Sequence, residues 1–497
     1  MPEKPNILLI MNDDMGYSDI GCYGGEIDTP NLNRLAQQGL RFSQFYNSPR
    51  CSPSRASLLT GLHPHQTGIG ILTYPTGPEG YAGNLNKQCV TIAEALKASN
   101  YKTYLSGKWH VASSLIEPTD AWPMQRGFDH FYGTIIGAGS FYNPNTLTRG
   151  NDNIEHEAEQ DDGFFYTDAI SDQAAQYIVQ HQAEHPERPF FQYVAYTAPH
   201  WPLHAHDEDI AKYKGKFDKG WDQLREERLQ RLVDAGIIDP AWQLTPRDPS
   251  QPEWGQAGHK KWLLRCMEVY AAQVDRMDQG IGRILKALEE TGRLENTLII
   301  FLADNGACAE DIPDDVTVDT LVNDLMIARA QTRKGEEVIF GNIPELMPGP
   351  ENTYQSYGTA WANLSNTPFR LYKHWTHEGG VSTPLILHWP KGIQKAGEIR
   401  HSPGQLPDIM ATILDITQTE YPTEYQGNPI LPLEGRSLLP VFAADNSDQR
   451  PLFWEHEGNA AVRCGKWKLV KEYPGSWELY DMEQDRHRSR DQPCIDG

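Results

Sequence analysis

The sequence predicts an α/β protein built on one large sheet with helices packed against it, followed by a small antiparallel sheet. Three observations carry that expectation. Short continuous apolar runs, of the kind buried on both faces of a sheet, recur along the chain and alternate with helix-forming stretches. Each run ends in a cluster of polar residues, and in open α/β sheets the carboxyl ends of the strands form the ligand crevice. After about Leu439 these runs give way to short alternating segments separated by turn residues.

The elements follow in order. Residues 6–11 (Asn-Ile-Leu-Leu-Ile-Met) read as a fully buried strand that ends in Asn12-Asp13-Asp14-Met15-Gly16. Two adjacent carboxylates at such a place repel each other unless a cation sits between them, the alternative being a solvated loop with an Asx-turn. Thr29 and Pro30 start a helix and Gly39 closes it. Residues 101–106 lead into Gly107-Lys108-Trp109-His110, residues 189–196 into Thr197-Ala198-Pro199-His200-Trp201-Pro202, and residues 297–303 into Asp304-Asn305-Gly306. Residues 369–373 are read as a further strand, ahead of Glu378-Gly379-Gly380 and the strand-like residues 384–389. Singly, each Lys, His or Asp in these clusters is more often structural. Jointly, they describe one site at one sheet edge.

Residues 90–98, 167–181 and 261–291 show amphipathic helical periodicity. Residues 221–235 are highly charged and read as an exposed insertion, and the acidic, irregular stretch 308–357 reads as a rim or lid over the pocket. Segments 451–455, 460–463, 466–470 and 477–480 form the small antiparallel sheet, and the polar tail after Asp481 is expected to be disordered. A chain of 497 residues exceeds the usual size of one core. Residues 1–440 are therefore expected to form the site-bearing domain, with insertions at about 205–260 and 308–357, and residues 441–497 a small subdomain.

Charge and cysteine usage narrow the function. The balance of 44 Lys and Arg against 67 Asp and Glu gives a net charge of −23, which argues against nucleic acid or an anionic membrane as partner. Any anion site must then be built from a local cationic cluster. The seven cysteines are odd in number, scattered, and include no Cys-x-x-Cys pair, which argues against a disulfide framework or a zinc site. A reducing compartment fits. The first apolar run is too short for a signal-peptide core and no later run is long enough to span a bilayer, so a cytoplasmic location is expected.

The chemistry centres on Cys51-Ser52-Pro53-Ser54-Arg55 and the Leu59-Thr60-Gly61 that follows. Pro53 suits a first helical turn and Gly61 a helix stop, so Cys51 stands just ahead of a helix N-terminus, where negative charge is favoured. Arg55, one turn on, can point at whatever Cys51 holds. The spacing is too short for the phosphate-wrapping loop of cysteine-dependent phosphatases. Asp13, Asp14, Asp304 and Asn305 are hard oxygen donors that suit Ca²⁺ or Mg²⁺ far better than Zn²⁺.

The Cys-Ser-Pro-Ser-Arg and Leu-Thr-Gly string resembles the signature of the formylglycine sulfatases, a branch of the alkaline phosphatase-like superfamily, and in its bacterial arylsulfatase type the resemblance covers most of the chain. It implies a large mixed sheet flanked by helices on both faces. It implies one Ca²⁺ per chain, ahead of Mg²⁺, on Asp13, Asp14, Asp304, Asn305 and Cys51, with Cys51 oxidised to formylglycine by a maturation enzyme. Arg55 matches the arginine that holds the formylglycine hydrate, Lys108 and His110 the second signature Gly-Lys-Trp-His, and His200 and Lys373 the residues that bind sulfate and face the leaving group. Asn100 and Ala112 stand where that second signature has glycine.

The implied reaction is hydrolysis of a small sulfate monoester, aryl or related. A hydroxyl of the hydrated aldehyde attacks sulfur, with the metal and Arg55 favouring its ionisation. Lys108, Lys373 and His200 neutralise the sulfuryl oxygens, and His200 or Lys373 assists the leaving group. His110 then deprotonates the second hydroxyl and sulfate is expelled. The alternatives are a phosphonate monoester or phosphodiester hydrolase of the same superfamily, and an unmodified, non-catalytic binder of sulfated ligands. Trp109, Phe141, Tyr142, Trp201, Trp361 and Trp375 are either a pocket wall or core. The natural substrate and the oligomeric state stay open.

Overall fold

Strand β1 (Asn6–Asn12) is buried along its whole length and lies in the middle of an eleven-stranded sheet. The computed structural model describes residues 4–446 and 449–484. The other strands that frame the site are β2 (Leu40–Tyr46), β3 (Lys102–Gly107), β4 (His130–Thr134), β5 (Phe190–Ala195), β6 (Thr297–Ala303) and β7 (Ser382–His388). Their spatial order is β2-β7-β6-β1-β5-β3-β4, and short strands extend both edges. β6, β1, β5, β3 and β4 run parallel, whereas β7 is antiparallel to both β6 and β2, so the sheet is mixed.

Register explains why distant polar clusters meet. Met11 pairs with Ala195 on one side and with Leu302 on the other, and Gly107 pairs with Ala195. Four parallel strands therefore end level, and the residues that follow them emerge side by side. Backbone hydrogen bonds continue past the strand ends, from Asp13 N to Ala198 O (3.1 Å), Asp304 N to Asn12 O (3.1 Å) and Lys108 N to Ala195 O (2.8 Å).

Helices cover both faces, as side-chain alternation along β1 requires. They are α1 (Pro30–Gln37), α2 (Cys51–Thr60), α3 (Ile92–Lys97), α4 (Tyr166–Glu184), α5 (Gly220–Asp234), α6 (Lys260–Glu290) and α7 (Leu406–Thr417). Leu8 and Ile10 join a core with residues of α1, α4, α5 and α6. Ile7, Leu9 and Met11 join a second core with residues of α2, α3 and α7. A capping box starts α3, with Glu94 N donating to Thr91 Oγ1 (3.1 Å) and Thr91 N to Glu94 Oε2 (2.7 Å).

Strands β8 (Leu452–His456), β9 (Asn459–Cys464), β10 (Trp467–Lys471) and β11 (Trp477–Asp481) form the expected antiparallel sheet. Its inner face packs Leu452, Trp454, Ala461, Val470 and Tyr480 against Tyr46 and Val381. A buried ion pair, Lys468 Nζ to Glu378 Oε1 at 2.9 Å, ties it to the segment just before β7.

Two readings need correction. Residues 369–373 form a loop: Leu371 takes a φ of +62°, incompatible with a strand, and the buried strand of this region is β7. The charged helix α5 is not an exposed insertion. Trp221, Leu224, Arg228 and Leu232 are buried, with the Trp221 ring 5.2 Å from that of Trp361. Arg228, fully buried, pairs with Asp19 (2.8 Å) and Glu26 (2.7 Å), so a charge that suggested exposure is spent on internal ion pairing. The tail expected after the last strand lies, from residue 485, outside the described residues.

Removing one member of a buried ion cluster strands the others. Arg228→Ala is expected to cost about 3–5 kcal/mol, read as a lower urea midpoint at unchanged m-value.

Candidate active site

α2 begins at Cys51 itself, one residue earlier than its sequence suggests, with extended Arg50 (φ −152°) as N-cap. Cys51 is only 3% exposed. Gly61 stops the helix at φ +69°, its N–H donating to Ser57 O at 2.9 Å. Ser54 Oγ donates to Ser48 O (2.9 Å) and accepts from Ser48 N (3.1 Å), which fixes the loop against the helix.

Arg55 has no exposed surface. Its Nη2 donates to Asp304 Oδ2 at 2.9 Å and lies 3.7 Å from Asp13 Oδ2, and Nη1 donates to the Tyr193 hydroxyl at 3.3 Å. Lys108 Nζ lies 2.5 Å from Asp13 Oδ2, and Lys373 Nζ lies 2.8 Å from Asp14 Oδ2. His200 Nε2 stands 3.3 Å from both Lys373 Nζ and Asp14 Oδ2. Its Nδ1 is 2.6 Å from Trp201 O. A carbonyl only accepts, so Nδ1 carries the proton and Nε2 turns its lone pair to the Lys373 ammonium.

Burial sets the protonation states. It pushes His200 below its ordinary value, with Asp14 opposing and Lys373 adding to the effect. For Lys373 burial acts downward but is overcome by Asp14, and with Cys308, Glu310 and Cys51 the net shift is well upward. His110 is pushed well below the ordinary imidazole range by burial, then by Lys108 and Arg55. Its backbone sits at φ +53°, and its Nδ1 is buried with no hydrogen-bond partner. The ring is seated against Gly137, where a Cβ would stand 2.1 Å from His110 Cε1.

The oxygen donors converge as well. Asp14 N donates to Asp304 Oδ1 at 3.2 Å, and Asn305 Nδ2 donates to Asp14 Oδ1 at 2.7 Å. Asp13 Oδ1 and Asn305 Oδ1 are buried without any hydrogen-bond partner. Burial and the neighbouring Asp13 charge push Asp304 up to about 8, whereas Lys108, His200 and Arg55 outweigh burial to hold Asp13 low. Two facing carboxylates that cannot both ionise alone, beside two bare oxygens, fit a hard divalent cation. His200 brings an imidazole within 4.8 Å of Asp13 and Asp14, so the surroundings are less purely oxygen than the donor pattern suggested.

Thus Asp13, Asp14, Cys51, Arg55, Lys108, His110, His200, Asp304, Asn305 and Lys373 all lie in one constellation. Sequence reasoning missed Tyr193, Gly137, Arg50 and Glu310. Tyr193 is hidden inside an apolar run, but Arg50, next to Cys51, was open to notice. The aromatic set divides: Trp109, Phe141 and Trp361 are core, while Trp201 is partly exposed with its ring 4.5 Å from that of His200. Asn100, in place of glycine, takes φ +65°, a conformation asparagine tolerates better than most residues.

Residues 5–419 match the sulfatase family model. The chain belongs to the sulfatase family. Residues 369–491 of this sulfatase also match the N-sulphoglucosamine sulphohydrolase C-terminal model. An arylsulfatase of Klebsiella aerogenes is 33% identical over 471 residues, covering 90% of this chain and 94% of the relative. An uncharacterised sulfatase of Schizosaccharomyces pombe is 33% identical over 520 residues, covering 97% and 89%. Among solved structures, Ps i-CgsB in complex with k-i-k-neocarrahexaose shares the fold at a TM-score of 0.67 and 24% identity, covering 98% of this chain and 88% of that one. The chain is a sulfuric ester hydrolase, and hydrolysis of sulfate esters is its reaction class. No helix among the described residues is long and apolar enough to cross a membrane.

Gly137→Ala is expected to displace the His110 ring and to cost about 1–3 kcal/mol of stability, measurable by urea unfolding.

Proposed function

We propose that this sulfatase hydrolyses small sulfate monoesters of the aryl or related type, with Cys51 converted to formylglycine by a maturation enzyme and one Ca²⁺ held by Asp13, Asp14, Asp304, Asn305 and residue 51. The observation that carries the reading is the buried array of Arg55, Lys108, His110, His200 and Lys373 around the N-terminus of α2, in a protein of net charge −23. A metal and formylglycine are general to the family. When present they supply the activated oxygen nucleophile and the Lewis acid. A reducing, cytoplasmic setting remains part of the reading; the described cysteines are all free.

The chain's own residues supply the rest. Overall, the ester S–O bond breaks, the leaving oxygen gains a proton, and water supplies the oxygen retained in sulfate. Arg55 holds the oxygen on residue 51 toward the sulfur. Lys108 and Lys373 neutralise charge on the sulfuryl oxygens, and water is kept out by their burial. His200, whose Nε2 is coupled to Lys373, relays a proton to the leaving oxygen. His110, kept neutral by burial, accepts a proton as sulfate departs.

Cys51→Ala is expected to bind a sulfate ester and not turn it over. Protein made without the maturation enzyme should behave likewise, and mass spectrometry of the peptide spanning Cys51 should show loss of sulfur in the active enzyme. Turnover of 4-nitrophenyl sulfate by chain with the thiol fully intact would overturn the reading. Phenylphosphonate monoesters serve as the comparison substrate and should be turned over more slowly.

Lys373→Ala is expected to lower kcat by orders of magnitude with far-UV circular dichroism unchanged, since one of few cations facing an anionic transition state is lost. Chelation should abolish turnover and leave the far-UV spectrum largely intact, because the apolar cores behind the strand ends do not depend on the ion.

A further inference from the structure

Two carboxylates from opposite parts of the chain stand at the mouth of the site, and neither belongs to the constellation described above. Glu310 follows β6 by seven residues, and Glu457 lies in the turn between β8 and β9. Between them is Arg50, the residue before Cys51. Arg50 Nη1 lies 2.6 Å from Glu310 Oε1, and Trp201 Nε1 donates to Glu310 Oε2 at 3.2 Å. Glu457 Oε2 lies 3.0 Å from Nδ1 of His374, the residue after Lys373, and 3.2 Å from His456 Nε2. Depth separates these carboxylates from the cations below. The side chains of Glu310 and Glu457 are 37% and 41% exposed, against 0% for Arg55 and Lys108 and 2% for Lys373.

Resting on the sulfatase reading, we infer that Glu310 and Glu457 make the mouth select sulfate esters whose leaving group carries no negative charge. The sulfate itself reaches the buried cations, while the rest of the substrate must lie beside the two carboxylates. Both stay ionised: Lys373, Arg50 and His200 overcome burial to hold Glu310 below the carboxylate range, and the close approach of His456, against partial burial, helps hold Glu457 at about 2. Two fixed negative charges thus face one guanidinium, and that guanidinium is already committed to Glu310. The rim extends the bias, since residues 308–328 hold six acidic residues and no Lys or Arg. The Trp201 ring beside His200 offers the leaving group an apolar face instead. A second sulfate or a carboxylate on the leaving group would be repelled at the point where a phenol or uncharged alcohol is not.

The test compares kcat/KM for 4-carbamoylphenyl sulfate and 4-carboxyphenyl sulfate, which differ in charge at the same ring position. The wild-type enzyme should favour the uncharged amide. Glu310→Gln frees Arg50 and should move the ratio about fivefold toward the carboxylate, and Glu457→Gln should move it in the same direction. Raising NaCl to about 0.5 M should narrow the wild-type ratio by screening, a result that needs no variant to fold. Turnover of both compounds with a ratio unmoved by either substitution or by salt would overturn the inference and leave the sulfatase reading standing. Failure of the wild-type enzyme to hydrolyse either compound would overturn both.

Discussion

The structure depends on holding acidic and basic side chains against one another where water does not reach. Asp13, Asp14 and Asp304 stand almost without exposed surface, and so do Arg55, Lys108 and Lys373. An isolated charge at such depth costs several kcal/mol, and only close pairing offsets that cost. The observed pairings, Arg55 with Asp304, Lys108 with Asp13 and Lys373 with Asp14, use three cations on three carboxylates. Two carboxamide and carboxylate oxygens remain bare, Asp13 Oδ1 and Asn305 Oδ1, and they mark where a further positive charge belongs. On the proposed function, the same cations that stabilise these carboxylates are the ones that meet the sulfate group, so folding and anion recognition would draw on one set of side chains.

That array can exist only because the sheet is largely parallel. Four adjacent strands ending level put four loops at one edge, and the apolar strands behind them supply a rigid, dry floor. The antiparallel β7 adds a further contribution differently. It begins after a tight turn at Glu378-Gly379-Gly380, and the loop before it, carrying Lys373, is held by Lys373 N to Ala307 O (3.0 Å) and His374 N to Pro49 O (2.7 Å). Lys373 is thus anchored to the loops that carry Asp304 and Cys51 rather than to a strand.

The small sheet is part of this arrangement. Its first turn touches His374 through Glu457 and Asn459, and Trp454 Nε1 donates to Asn47 O at 2.9 Å, four residues before Cys51. Lys468 and Glu378, both buried, lock the sheet onto the turn that precedes β7. The C-terminal strands therefore brace the two loops that bring Cys51 and Lys373 together.

The strands β1, β3, β5 and β6 were legible because they are buried on both faces and read as unbroken apolar runs, and α2 because proline and glycine bracket it. The polar residues after those strands could be recognised as one site because, although each is singly more often structural, the strand ends bring them jointly to one sheet edge. By contrast, residues 369–373 look like a strand, and only the +62° φ at Leu371 and the contacts of Lys373 make them a loop. Charge in α5 pointed outward, yet Arg228 turns inward because Asp19 and Glu26, over two hundred residues away, are folded against it. Glu310 falls within the stretch 308–357 already read as a rim, but its pairing with Arg50 and the place of Glu457 beside His374 could not be read from local sequence. Local sequence determines burial period, turn chemistry and donor type, because those depend on neighbours within a few residues. Which cation faces which carboxylate, and which side chain faces the substrate, was decided by tertiary structure, because pairing energy depends on distance through space and on the exclusion of water.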